Sequence, residues 1–208
     1  MHIAFVSTQF VASSQVGGLG NYLQRVGLSL VDSGHRPTIF TISSEDGEDD
    51  FRGIRLIRVG GKEDRLPKRL LGGSFHANAH QSKQLNRAIR RLHEQEPIDV
   101  IQYTNYRSTA LYRPKEIPAV MRVSSFRPLW DPYHPSAQEN FSRRRAAKLE
   151  ELAFFRVDGV YSPSKVLADA ISEQLGIDVT VIEPPFVMDA AELDRSTLNA
   201  SVGEGNFF

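Results

Sequence analysis

The chain has 208 residues, of which 40% are hydrophobic and 24% charged, enough apolar content for one full core and too much for a disordered chain. Lys plus Arg and Asp plus Glu both number 25, so the formal charge is zero: nothing global favours nucleic acid or a membrane surface, and any such partner must meet a local patch. The absence of cysteine excludes disulfides, thiolate metal sites and a cysteine nucleophile, and it fits a reducing compartment, so the cytoplasm is the expected location.

The opening Met1-His2-Ile3-Ala4-Phe5-Val6-Ser7 lacks the basic start and long apolar stretch of a signal peptide, and no later run reaches bilayer-spanning length. Short β-rich apolar runs then alternate with helical patterns, the signature of an α/β fold with a Rossmann-like, doubly wound and mostly parallel sheet. About seven strands are expected, at His2–Ser7, Pro37–Ile42, Ile54–Val59, Asp99–Tyr103, Ala119–Ser124, Gly159–Ser162 and Val179–Glu183. The first helix covers Asn21 to Asp32, with Leu23, Val26 and Leu30 on its buried face and Gly34 as its left-handed stop. A second runs from Ser74 to Glu94, burying Phe75, Ala79, Leu85, Ile89 and Leu92, and Pro97 forbids its continuation. A third, Asn140 to Arg156, turns Leu149, Leu152 and Phe155 inward. A fourth starts at the serine-capped Ser162-Pro163-Ser164, buries Leu167, Ile171 and Leu175, and stops at Gly176.

Between these elements, the acidic Ser43 to Phe51 and the mixed-charge Gly60 to Gly73 are expected to be loops. Residues 1–186 form the domain, and 187–208 are expected to be a linker toward a second, absent domain, with Phe207-Phe208 more natural as the start of another buried strand.

Val16-Gly17-Gly18-Leu19-Gly20-Asn21 places a glycine turn at the start of the first helix. The free N–H groups of a first helical turn, unobstructed by Cβ atoms, favour an anion, phosphate above all. The competing explanation is a tight strand-to-helix connection with no ligand.

Three segments together resemble the N-terminal domain of a GT-B glycosyltransferase of the retaining family 4. They are the Gly17-Gly18-Leu19-Gly20-Asn21 turn with its helix to Gly34; the run Glu150-Glu151-Leu152-Ala153-Phe154-Phe155-Arg156-Val157-Asp158-Gly159-Val160-Tyr161-Ser162-Pro163-Ser164-Lys165; and Val179-Thr180-Val181-Ile182-Glu183-Pro184-Pro185-Phe186. The resemblance covers the chain to Phe186. It implies that the complete enzyme moves a hexose from a UDP- or GDP-sugar to a glycan or lipid-linked acceptor with retention, using no cofactor and no bound metal. It further implies that Gly17, Gly18 and Gly20 face the donor diphosphate across a cleft, and that this half alone is catalytically silent. Ser124-Ser125-Phe126-Arg127 stands where many members carry a histidine, a departure that bears on the acceptor contacts.

Ligands of open α/β sheets bind at the carboxyl ends of strands, which makes Thr8, Gln9, Asn105, Tyr106, Arg107, Ser125, Arg127, Trp130, Tyr133 and His134 the acceptor-side candidates. Trp130 and Tyr133 can stack on a sugar face or lipid head group, and Arg107 or Arg127 can hold an acceptor phosphate. A loop merely pinned by its aromatics accounts for them equally well. His134 is a candidate general base, although the donor phosphate can itself take the acceptor proton and most such loop histidines only hydrogen-bond. His76 and His80 have i, i+4 spacing without a third ligand in view, so no metal site follows.

Arg65, Lys68, Arg69, Arg87, Arg90 and Arg91, with Arg143, Arg144, Arg145 and Lys148, can form a basic face for peripheral contact with anionic lipid on the inner side of a membrane; ordinary solvated helix surfaces explain them more simply. Two other functions compete. One is a noncatalytic binding module or one subunit of a two-chain transferase. The other is a nicotinamide-dependent oxidoreductase with Glu45 imitating the ribose-binding acid, disfavoured because Gly17 lies about nine residues beyond the strand instead of directly after it.

Overall fold

The computed structural model describes residues 1–7, 18–60, 73–130 and 141–184. Strand β1 (His2–Ser7) is followed by helix α1 (Gly18–Asp32) and strand β2 (Arg36–Ser43). Gly34 makes the turn between the last two at φ 76°, a left-handed backbone that costs least without a Cβ. Then come β3 (Gly47–Phe51), β4 (Ile54–Gly60), α2 (Gly73–Gln95), β5 (Val100–Thr104) and a 3-10 turn at Tyr106–Ser108. The order closes with β6 (Ala119–Arg122), the short α3 (Arg127–Trp130), α4 (Phe141–Phe154), β7 (Gly159–Ser162), α5 (Lys165–Leu175) and β8 (Thr180–Val181).

The strands form one eight-stranded sheet in the order β3-β4-β2-β1-β5-β6-β7-β8. Every pairing is parallel except β3 with β4. The chain moves from β1 outward to β2 and β4, then returns through α2 to β5 on the other side of β1. That reversal gives the doubly wound arrangement expected from the sequence and puts a switch point between β1 and β5.

Alternate residues of the strands feed two cores. On one face Phe5, Ile39, Ile54 and Leu56 meet Leu23 of α1. Close approach of that helix depends on Gly27, where a Cβ would stand 2.6 Å from Ile54 Cδ1. On the other face Val6, Phe40, Tyr103, Met121 and Val160 meet Leu85 and Ile89 of α2, Ala153 and Phe154 of α4, and Leu167 and Ile171 of α5.

Four expectations are corrected. The acidic segment through Phe51 is not all loop: Gly47–Phe51 is an antiparallel edge strand, which raises the strand count to eight. Its acids are paired across the hairpin, Glu48 with Arg55 at 2.7 Å and Asp49 with Arg58 at 3.0 Å, and its turn uses Arg52 and Gly53 at φ 54° and 87°, the positive angles of a type I′ turn. Charges on the exposed edge also block pairing with a foreign strand. Leu152 and Phe155 do not face inward; they are 43% and 58% exposed, and α4 instead buries Ala146, Leu149 and Ala153, at i, i+3 and i+7, with Phe154. Ser164 occupies the cap position of α5 without a side-chain cap bond, and Pro163 precedes that cap; the nearby hydroxyl bond is Ser162 Oγ donating to the Ser164 carbonyl at 3.2 Å. Strands β6 and β8 end earlier than expected, at Arg122 and Val181. The stop at Gly176, φ 66°, is as read.

Candidate functional site

The carboxyl ends of β1, β5 and β6 converge beside the switch point, where an open α/β sheet offers its crevice. The chain leaving β5 is held in an unusual form there. Arg107 and Ser108 are consecutive non-glycine residues at φ 57° and 55°. Each left-handed residue of this kind costs roughly 1–2 kcal/mol, so the surroundings must enforce the turn. A buried network does so from below. Tyr103 Oη donates to Asn86 Oδ1 at 2.6 Å, Asn86 Nδ2 donates to the Thr109 carbonyl at 2.8 Å, and Ser82 Oγ donates to that carbonyl at 2.9 Å. Burial raises the Tyr103 phenol well above its ordinary pKa, so it remains a donor.

Above this base Asn105 Nδ2 donates to the Ser125 carbonyl at 2.7 Å, tying the turns after β5 and β6 together. The Arg107 backbone N–H donates to Glu150 Oε1 at 3.3 Å, its Nη1 donates to Gln81 Oε1 at 3.3 Å, and its guanidinium lies 5.5 Å from the Tyr106 ring centroid. Tyr106 is 48% exposed, a half-open aromatic beside a cation on the rim.

The α1 side of the same edge is polar. By register Phe5, Gln102 and Val120 share that face, as do Thr104, Arg122 and Tyr161. Tyr161 Oη donates to Gln102 Oε1 at 2.7 Å and stands 3.0 Å from Tyr22 Oη of α1. Burial, then the Tyr22 hydroxyl, push the Tyr161 phenol above its ordinary pKa. Arg122 Cζ sits 3.9 Å from the Tyr22 ring centroid, and the residue is only 7% exposed. Among the described residues it has no carboxylate partner and no hydrogen bond. Across the β5–β6 register Arg122 faces Thr104, whose buried Oγ1 lacks a partner among the described residues. A buried guanidinium with unspent donors can take up a phosphate or carboxylate, and the Thr104 hydroxyl can complete its shell.

Gly18 opens α1 one turn before Tyr22. A Cβ built there would meet nothing within 4 Å, and its φ lies outside the left-handed range. Neither packing within the described residues nor backbone strain therefore requires glycine at this position. Gly20 is buried within the same helix.

A family model for glycosyltransferase family 4 matches residues 16–189. The chain belongs to that family. The family 4 domain also shares its fold with sucrose-phosphate synthase from Thermosynechococcus elongatus, at TM-score 0.67 and 17% identity over 95% of this chain and 52% of that one. The apo structure of UGT2 from Phytolacca americana matches at TM-score 0.59 and 8% identity over 90% of this chain and 52% of that one. A UGT transferase from Siraitia grosvenorii in complex with UDP matches at TM-score 0.53 and 12% identity, over 97% and 54%. The chain thus spans about half the length of these three structures. No curated relative matches the sequence.

Of the candidates read from the sequence, the family 4 domain brings Asn105, Tyr106, Arg107 and Ser125 together at the carboxyl edge, with Arg127 opening α3 and Trp130 closing it. Thr8, Gln9, Gly17, Tyr133 and His134 lie outside the described residues, as do Arg65, Lys68, Arg69 and 187–208. His76 and His80 stack at 6.1 Å between ring centroids, and the described residues contain no cluster of three His, Asp or Glu placed to hold a metal. Of the basic residues, Lys148 pairs with Glu151 at 2.6 Å, and the Arg145 guanidinium lies 4.4 Å from the Phe75 ring centroid. Among the described residues no helix is long and apolar enough to cross a membrane.

Sequence reading passed over Tyr22, Thr104 and Arg122. A signal for Arg122 was present: one charged residue inside the apolar run Ala119-Val120-Met121-Arg122-Val123, where a strand buried on both faces has no use for a cation.

Proposed function

We propose that the complete protein transfers a hexose from a UDP- or GDP-sugar to a glycan or lipid-linked acceptor with retention of configuration. In this reading residues 1–186 are the acceptor-side half, 187–208 lead to a donor-binding half, and transfer takes place on the cytoplasmic side, with peripheral membrane contact where the acceptor is lipid-linked. The bond broken is that between the sugar and the diphosphate, so negative charge grows on the leaving group and preorganised donors lower the barrier. The N–H groups at Gly17, Gly18 and Gly20 are suited to that charge, and Arg122, stacked on the Tyr22 ring one helical turn after Gly18, is a cationic partner for it. Arg107, Asn105, Tyr106, Ser125, Arg127, Trp130 and, beyond the described residues, Gln9, Tyr133 and His134 are the acceptor-side set. The UDP held by the Siraitia grosvenorii transferase supports a nucleotide donor.

The observation that carries the proposal is Gly18, a glycine at a helix start where a Cβ would meet nothing within 4 Å among the described residues and whose backbone does not demand glycine. Such a position is explained by something that approaches from outside the domain. In the complete enzyme Gly18→Val is expected to lower kcat about tenfold or more while moving Tm by less than about 2 °C. A fully active Gly18→Val enzyme would refute the assignment. The 208-residue chain alone is expected to fold and to give no sugar transfer in a radiolabelled-donor assay.

A further inference from the structure

A cavity of about 650 Å³ lies between α2, the chain leading into β6 and the end of α4. Its walls carry six cations, Lys83, Arg87, Arg90, Arg113, Lys115 and Arg156, against one acid, Glu116. Two of the cations are already engaged. Arg113 Nη2 donates to Asp158 Oδ1 at 2.7 Å and its Nη1 donates to the Ile117 carbonyl at 2.9 Å, while Arg90 Nη2 donates to the Tyr112 carbonyl at 3.0 Å and its Nε lies 4.0 Å from Glu116 Oε1. Lys83, Arg87, Lys115 and Arg156 have no carboxylate partner among the described residues.

Lys83, Arg87 and Arg90 stand at i, i+4 and i+7, one stripe of α2 facing the cavity. Like charges at such spacing destabilise a helix by roughly 0.2–0.5 kcal/mol per pair. Lys83, Arg87, Lys115 and Arg156 are exposed, so water and salt screen part of that repulsion, and the same cations ring a concave space whose size suits a small ligand. The walls also sit at the wrong end of the sheet for the transfer site. Glu116 precedes β6, Arg156 precedes β7 and α2 ends before β5, so the cavity borders the amino ends of strands whose carboxyl ends carry the candidate site.

We propose that this cavity is a second binding site, separate from the transfer crevice, for a group bearing two or more phosphate charges. The four uncommitted cations supply the charge: two guanidinium forks for phosphate oxygens and two ammonium groups as point charges. The group can belong to a soluble phosphorylated metabolite or to an anionic lipid head, and these two sources are separable by experiment.

The test uses the chain itself, its Arg87→Gln/Lys115→Gln variant, and Arg25→Gln/Lys165→Gln as a control that removes two charges elsewhere. Inorganic diphosphate is titrated at low salt and followed by amide NMR shifts, which distinguish the cavity (residues 83–90 and 111–116) from the Gly18 and Arg122 region. Phosphatidylcholine vesicles with about 30% phosphatidylglycerol are used for cosedimentation. Saturable shifts at the cavity, weakened about tenfold in the cavity variant and less than twofold in the control, support a soluble phosphate ligand. Vesicle binding lost in the cavity variant alone, without saturable diphosphate shifts at the cavity, supports a lipid head group. If the folded cavity variant behaves like the control with both probes, or neither probe engages residues 83–90 and 111–116, the proposal fails. The Gly18 shifts, read in the same spectra, report on the transfer site independently.

Discussion

Arg122 occupies a strand position where an apolar side chain would cost nothing. Burying a guanidinium without a carboxylate costs several kcal/mol, of which stacking on Tyr22 returns about 2 kcal/mol. Two explanations compete: a strut that pins α1 to the sheet, or a cation held ready for a ligand's anion. They separate by substitution in the complete enzyme. Arg122→Met loses stacking and charge, Arg122→Lys keeps the charge without the planar fork. For an anion partner, Arg122→Met is expected to raise the donor or acceptor KM about tenfold or more, and Arg122→Lys to recover part of it. A strut alone would lower Tm in both variants and leave KM where it was.

At the scale of elements, the turn after β5 stores backbone strain that a rigid base enforces. Arg107 at φ 57° lies in the region where glycine is cheap, so Arg107→Gly is expected to stabilise the domain by about 1 kcal/mol, some 2–4 °C in Tm for a chain of this size. The same change removes the guanidinium beside Tyr106, so acceptor KM is expected to rise while Tm rises. If Tm falls, the loop is not strained as described; if KM is unchanged, Arg107 does not meet the acceptor. From the other side of the turn, Tyr103→Phe leaves Asn86 Oδ1 buried without its donor, and a loss of about 1–3 kcal/mol in urea unfolding is expected.

Legibility also differs by element. The switch-point topology follows from alternating strands and helices, and the stops at Gly34 and Gly176 follow from glycine chemistry, so the sequence carries both. The edge strand β3 was hidden because its residues Glu48, Asp49 and Asp50 have poor strand propensity; it forms because Arg55 and Arg58 arrive from β4, a pairing that only the fold brings together. The buried face of α4 was misplaced because Leu152 and Phe155 are larger and more apolar than Ala146 and Ala153, yet the alanines are the buried residues. At the candidate site, residues in loops after strands were readable by topology. Arg122, Tyr22 and Thr104 were not, since their meaning lies in register across β5, β6 and α1.

At the scale of the whole molecule, a buried histidine links segments across the middle of the sheet. His2 is 2% exposed and joins the three middle strands: its Nδ1 stands 3.1 Å from the Pro97 carbonyl ahead of β5, and its Nε2 is 2.9 Å from Thr38 Oγ1 on β2. Desolvation lowers its pKa below the ordinary histidine value of 6.5, outweighing the carbonyl bond that raises it. The native state therefore prefers the neutral ring, and between the two pKa values the unfolded chain binds more protons. Stability from this group is fully present above about pH 6.5 and is lost as pH falls toward the lowered native value, after which it declines no further. His2→Gln cannot titrate and so should lack this component, at the cost of a lower Tm throughout because the substitute does not reach both partners equally. Thermal melts at pH 7.5 and pH 5.5 provide the check. The wild-type Tm is expected to fall more across that interval than the His2→Gln Tm; parallel declines would place the acid sensitivity in the carboxylates, with Glu96, whose pKa is lowered by its hydrogen bond to Arg55, the first to test.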